Sequence, residues 1–364
     1  MKAKISRLQL FLLIPNILFG KAIGITAGVM VRKIGGDTWI SMIFGFFIGT
    51  ILICLLTYLS SKFPEKTIIG YSEELLGSGL GKLIGVILAI FFVIAYGTSA
   101  NVLILHVKEY FLVETPFIVL CFVYTLLCMY GVYLGIEVVV RFSLLGLIML
   151  LGITLTMVTG TFNDFNFIKL QPLMDKGFIA DMESSVYLFS DLAMAVFVVG
   201  ILYPMLNKKE KMGRILFGSI LLSTVMIVIW PFFETGVMGE SLMKEYVIVC
   251  MEQIRCAQFT RYLPRYELLM VSFFTFSIFV QSVAMFYCAS HSIKQVLGIK
   301  KDKYIIICLS VIGFLVTFFM GFDINNFASF LTFPWPQICA ILSIGIPMLL
   351  IVVALIKGKL IPFH

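Results

Sequence analysis

The sequence predicts an all-α integral membrane protein of ten transmembrane helices, and three observations carry that prediction. Of the 364 residues 60% are hydrophobic and only 13% charged, with a mean hydropathy of +1.06, a composition that a water-exposed globular surface does not tolerate. The apolar residues gather in segments of about 20, the length that crosses a hydrocarbon core of about 30 Å. These segments form two groups of five, 8–160 and 184–356. An odd number of crossings forces the second group to enter with opposite polarity to the first, the arrangement of a 5+5 inverted repeat within one transmembrane domain, 1–364.

The first span, 8–31, contains Pro15 and Lys21 and runs into a second, 38–59, with no small-residue cleavage site between them, so it is read as a retained span and not a signal peptide. The third, 83–105, carries Tyr96, Thr98, Ser99 and Asn101, and His106 is expected to mark its outer end. The fourth and fifth, 116–136 and 138–160, are separated only by Gly135, Glu137 and Arg141. A run of about 45 residues is too long for one crossing, so a turn is expected there. The sixth, 184–206, holds Ser190 and Asp191. The seventh is 213–233, the eighth, 267–289, carries Gln281 and Ser282, and the ninth is 304–322. The tenth, 333–356, opens with Phe333-Pro334-Trp335-Pro336, where proline suits a first turn and Trp suits a membrane interface.

Two loops are longer than the rest. The loop 161–183 sets Asp164, Asp175, Asp181 and Glu183 against Lys169 and Lys176. The loop 234–266 contains an amphipathic stretch, Ser241 to Gln258, expected either to lie along the outer interface as a helix or to cap a cavity. With ten spans, 17 Lys and Arg residues fall on the face of the two termini and 9 on the other, which puts both termini in the cytoplasm. The formal charge of +7 sits in short loops between spans, where it serves topology and anionic lipid rather than nucleic acid.

Several classes of function are disfavoured. Eight cysteines are scattered, mostly inside apolar stretches (Cys54, Cys121, Cys128, Cys288, Cys339), with no CxxC pair, so neither a disulfide scaffold nor a zinc site is suggested. No metal or other cofactor is called for. The short loops hold no nucleotide-binding motif. An enzyme is not expected, because no nucleophile and base stand together.

What remains is a charge in the wrong solvent. Lys21 sits near the middle of the first span, between Gly20 and Gly24, and an ionisable residue there is costly unless it has a partner or a wet cavity. Glycine lowers helix propensity, so the first span is expected to be discontinuous near Lys21, freeing backbone groups for a ligand. Gly20, Gly24 and Gly28 equally form a small-residue ridge for close helix packing. Lys21 and Asp191 lie at overlapping depths, which allows an ion pair or two ends of one polar cavity. Tyr96, Ser99, Asn101 and Gln281 are candidate cavity walls.

The chain resembles the spore germination permease family, the membrane-embedded B subunits of nutrient germinant receptors, within the wider amino acid, polyamine and organocation transporter group. The resemblance rests on Ser6 to Pro15, Gly36-Asp37-Thr38-Trp39-Ile40-Ser41, Leu202-Tyr203-Pro204-Met205-Leu206-Asn207-Lys208-Lys209, the Arg261 to Glu267 approach to the eighth span, and the ten-span spacing. It implies discontinuous first and sixth helices with a small nutrient, such as an amino acid, bound between them, around Gly20, Gly24 and Ile25 and around Ser190, Asp191 and Met194. It also implies a larger A-type subunit and a C-type lipoprotein as partners, in the inner membrane of the spore. Lys21 departs from what a zwitterion site leads one to expect, and points to a carboxylate-rich ligand or to an internal ion pair. An ion-coupled amino acid transporter and a structural membrane scaffold are the other readings of the same residues.

Overall fold

The computed structural model describes residues 5–256, 267–299 and 302–359. Sixteen α-helices make up the described chain, with a single isolated bridge, Ile5 to Leu206, in place of any strand. Among the described residues, nine helical runs are long and apolar enough to cross a membrane.

The first run, Arg7–Lys62, has 56 residues. At 1.5 Å per residue it measures about 84 Å, far more than the thickness of a bilayer, so it cannot cross as one rod. It consists of α1 (Arg7–Lys21), a π-helical turn (Ala22–Thr26), α2 (Ala27–Ile34) and α3 (Thr38–Lys62). The chain redirects between α2 and α3 at Gly35, whose φ of 75° is open to glycine and strained for other residues. Ser6 starts α1 with a capping box, its hydroxyl accepting from the Gln9 N–H while the Gln9 side chain accepts from the Ser6 N–H.

After the short α4 (Ile68–Leu76) come α5 (Ser78–Tyr110), α6 (Phe117–Leu134) and α7 (Ile136–Thr161). The expected turn between the fourth and fifth spans is there: Gly135, at φ 90°, ends α6 and begins α7. The sixth run is α8 (Phe178–Ser184), a 3₁₀ turn (Ser185–Leu188) and α9 (Phe189–Leu202). α10 (Met212–Met238), the short α11 (Glu240–Met243) and α12 (Val249–Cys256), then α13 (Glu267–Leu297), α14 (Asp302–Gly321), α15 (Ile324–Thr332) and α16 (Trp335–Ile356) complete the chain.

α9 is the axis of the bundle. All fourteen of its residues are buried, against α1, α3, α13 and α16. The outer helices α6, α14 and α16 present exposed Phe122, Phe319 and Ile341 instead, as a lipid-facing surface does. One end of the bundle carries the long connections, which interlock. The Asp37 carboxylate accepts from the N–H groups of Met174 and Asp175, the Gly36 N–H donates to Glu240, and the Asn166 N–H donates to the Gly236 carbonyl.

Four expectations are corrected. The described part of the stretch, 241–256, does not lie as a surface helix: α10 extends to Met238, and α12 turns Val249, Cys250, Met251, Gln253 and Ile254 inward, where α7, α10 and α13 bury the apolar face that would otherwise need lipid. His106 does not mark the outer end of its span, because α5 continues to Tyr110 and α12 covers it; the residue is 1% exposed. Trp335 is not at an interface but is 1% exposed and stacked between Phe91 and Phe330, with centroids at 5.5 and 5.7 Å. The first and sixth runs are not unwound. Their irregularities are a widened π turn and a tightened 3₁₀ turn, which keep backbone groups bonded inside the chain. The Arg261 to Tyr266 part of the family-like approach to α13 lies outside the described residues.

Candidate functional site

The π turn is what builds the site. In a regular α-helix, residues five apart differ by about 140° around the axis, so Lys21 and Thr26 belong to different faces. The wider turn, closed by the Ala27 N–H donating to the Ala22 carbonyl, brings them together, and Lys21 Nζ donates to Thr26 Oγ1 at 3.0 Å. The glycines beside it allow close packing. A Cβ on Gly20 would stand 2.6 Å from Ile278 Cγ1, and one on Gly24 would stand 2.7 Å from Phe274 and Val102. The ridge is thus a contact surface for α5 and α13, and the glycines carry no broken helix.

From α9 the 3₁₀ turn delivers Ser190 and Asp191 to the same point. Lys21 Nζ donates to Ser190 Oγ at 2.6 Å and to Asp191 Oδ1 at 3.1 Å. Thr26 Oγ1 donates to Asp191 Oδ2 at 2.9 Å. All three ammonium protons therefore have acceptors, and both carboxylate oxygens have donors. The pair is sealed, with Lys21 1% and Asp191 0% exposed. Ionising either group alone in this surrounding is costly, whereas a hydrogen-bonded pair cancels charge locally. Cys339 is buried on α16, which packs against α9.

Met194, one turn beyond Asp191, extends the site toward α5 and α13. Ser99 Oγ lies 3.9 Å and Gln281 Nε2 3.6 Å from its sulfur. Gln281 Oε1 is buried with no hydrogen-bond partner among the described residues, and lies next to Gly20. Ser99 and Gln281 thus meet the site, while the other two candidate walls face elsewhere. Tyr96 donates to Thr125 of α6 at 3.1 Å, and Asn101 Nδ2 donates to the carbonyls of Gly97 and Thr317, the latter on α14. Ile25 is buried in the π turn and contributes bulk. Thr26 escaped sequence reasoning, because a regular helix puts it on a different face from Lys21.

Over the site, toward the loop-rich end, lies α12. The Val247 carbonyl just before it approaches so closely that a Cβ on Gly28 would meet it at 2.2 Å. Beneath α12 the His106 ring packs on Phe274 with centroids 4.8 Å apart, and its Nδ1 is 2.6 Å from the Val102 carbonyl. His106 Nε2 faces Cys250 Sγ of α12 at 3.9 Å.

Comparison with known proteins bears on what such a site belongs to. The family model described as spore germination protein matches residues 4–326. Spore germination protein KB of Bacillus subtilis (strain 168) is 30% identical over 247 residues, a match that covers 62% of either chain and so less than two thirds of that relative's length. Spore germination protein GerQB of Bacillus cereus is 22% identical over 323 residues, 87% of either chain. Among solved structures, the nucleobase-cation-symport-1 family transporter MHP1, in a closed conformation with bromovinylhydantoin bound, superimposes with a TM-score of 0.68 at 13% identity, covering 91% of this chain and 75% of that one. At that identity the likeness concerns the fold alone, which is that of a membrane transporter.

Proposed function

This chain belongs to the spore germination permease family, and on that premise we propose that it is the B subunit of a nutrient germinant receptor, which binds a small zwitterion such as an amino acid by exchanging it for the Lys21–Asp191 ion pair. The observation that carries this reading is the pair itself, two opposite charges held at 3.1 Å at the irregular turns of the first and sixth runs. A ligand carboxylate replaces Asp191 as acceptor for Lys21, and a ligand ammonium replaces Lys21 as donor to Asp191. Charge is conserved in the exchange, so no ion is left unpaired in a dry site. Gly20, Gly24 and Ile25 on one side and Ser190 and Met194 on the other bound the ligand, with Ser99 and Gln281 closing the far wall. Selectivity then reflects the volume left beside Met194. Binding signals only if one conformation takes the ligand better than the other, and the closed pair defines the resting one.

In this reading the two arms of the 56-residue run count separately, which gives ten crossings and inverted repeats of 8–160 and 184–356. Both termini are cytoplasmic, and the loop-rich end faces outward in the inner membrane of the spore, where an A-type subunit and a C-type lipoprotein receive the signal. The protein performs no catalysis. The test is the purified chain in liposomes with a panel of radiolabelled amino acids. Saturable binding without uptake supports the receptor, and concentrative uptake replaces it with an ion-coupled transporter. Binding of no member of the panel overturns both in favour of a scaffold.

A further inference from the structure

We propose that Glu234 is a proton-binding site, separate from the Lys21–Asp191 pair, and that the proton it holds keeps α12 closed over the bundle. Glu234 lies near the end of α10, one turn after Pro231, and is 0% exposed. Both its carboxylate oxygens are buried without a hydrogen-bond partner among the described residues.

The groups on the packed elements explain why a proton, and not a cation, fits. α12, which carries the buried Cys250 thiol, packs against α10, while Glu252 and Arg255 bond each other. Glu252 also accepts from Tyr110. On the 3₁₀ turn Phe167–Leu170, Lys169 donates to the Val237 carbonyl. On α11, Glu240 is paired with Lys244. On α1, Lys21 is occupied by Asp191, and the π turn has no charged residue. The charged residue of α3, Lys62, and those of α7, Glu137 and Arg141, lie at the opposite ends of their helices. Behind Cys250, His106 presents Nε2 and uses Nδ1 on the Val102 carbonyl. A thiol, an imidazole nitrogen and apolar walls do not make an oxygen cage for a hard cation, and an ionised carboxylate among them has no compensating donor among the described residues. A neutral carboxyl does not carry that penalty.

The consequence concerns α12. Withdrawing it would bring water to Glu234, where a carboxyl ionises in its ordinary range. Closing then takes up one proton, so closure weakens as pH rises, by up to about tenfold per pH unit. This rests on the position of α12 and not on what binds at Lys21–Asp191, so it stands or falls independently of the nutrient.

Infrared difference spectroscopy of the full-length protein in lipid at neutral pH, wild type minus Glu234→Gln, tests the proton directly. The expected result is a protonated-carboxyl stretch that the variant lacks. Only an ionised-carboxylate signal at Glu234 overturns the proposal, and so does a protonated band that appears only when sodium is withdrawn, which assigns the site to a cation. A second measurement needs no variant that folds. The rate of maleimide labelling at Cys250, read by peptide mass spectrometry and divided by the rate of a free cysteine peptide, is expected to rise with pH. A pH-independent ratio contradicts the gate.

Discussion

Two buried carboxylates, Asp191 and Glu234, have the same exposure of 0% and opposite surroundings. Asp191 is met by an ammonium and hydroxyls on three sides. Glu234 is met by nothing that donates among the described residues. A bilayer protein thus has two ways to keep a carboxyl out of water. One supplies a counter-charge, which a competing zwitterion can displace. The other leaves the group to take a proton, which ties its state to pH and to whatever covers it. The pair lies where the first and sixth runs meet, and Glu234 on α10, which α12 packs against, so the proposed ligand exchange and the proposed gating fall to different layers of one axis.

The largest break in that comparison comes from neutralising half of the pair. Asp191→Asn or Lys21→Met should destabilise the protein by about 3–5 kcal/mol, seen as a lowered midpoint of thermal unfolding in detergent. Combining the two should recover much of the loss, and a double variant no better than either single one rules out direct pairing. Glu234→Gln, by contrast, should raise the midpoint at neutral pH, because the amide enters the site without the proton that the carboxyl must take up on burial, and the difference should shrink on acidification. Gly28→Ala drives a methyl into the Val247 carbonyl and should cost about 1–3 kcal/mol while raising labelling at Cys250, which separates the lid from the pair. Thr26→Val removes a single acceptor from Lys21 and a donor from Asp191 and should cost about 1–3 kcal/mol.

The smallest effect lies at the opposite end of the bundle. Hydrogen bonds from Lys359 and Lys66 hold the Glu74 carboxyl below its usual range. A carboxyl lowered on folding stabilises the protein above its unfolded-state value, and that contribution is lost as pH falls through the lowered one. Glu74→Gln should therefore cost less than about 1 kcal/mol at neutral pH, and the difference from wild type should close on acidification.

Much of this was legible in the sequence because membranes make composition speak. Apolar length set the helical runs, the 45-residue limit found the turn at Gly135, and the cost of a buried ammonium singled out Lys21 and its depth relative to Asp191. The misses have a common physical origin. A rule built on 3.6 residues per turn cannot place Thr26, since the π turn that brings it to Lys21 breaks the period. A glycine reads as a break or as a contact with equal ease, and only the neighbours at Gly20 and Gly24 decide for contact. Hydropathy leaves 241–258 open between an interfacial helix and a cap over a cavity, because it registers an amphipathic face without knowing that other helices cover it. Glu234 counted as a loop residue for the same reason, its span being longer than its apolar core.

The most direct test is equilibrium binding of a radiolabelled amino acid, identified from the panel, to purified wild type, Lys21→Met and Asp191→Asn, each checked for folding by its unfolding transition. If ligand and ion pair exchange, both folded variants lose affinity by roughly 30-fold or more, as expected when one partner of a buried charge pair is removed, and Glu234→Gln retains it. Wild-type affinity in a folded Lys21→Met or Asp191→Asn protein would contradict the account.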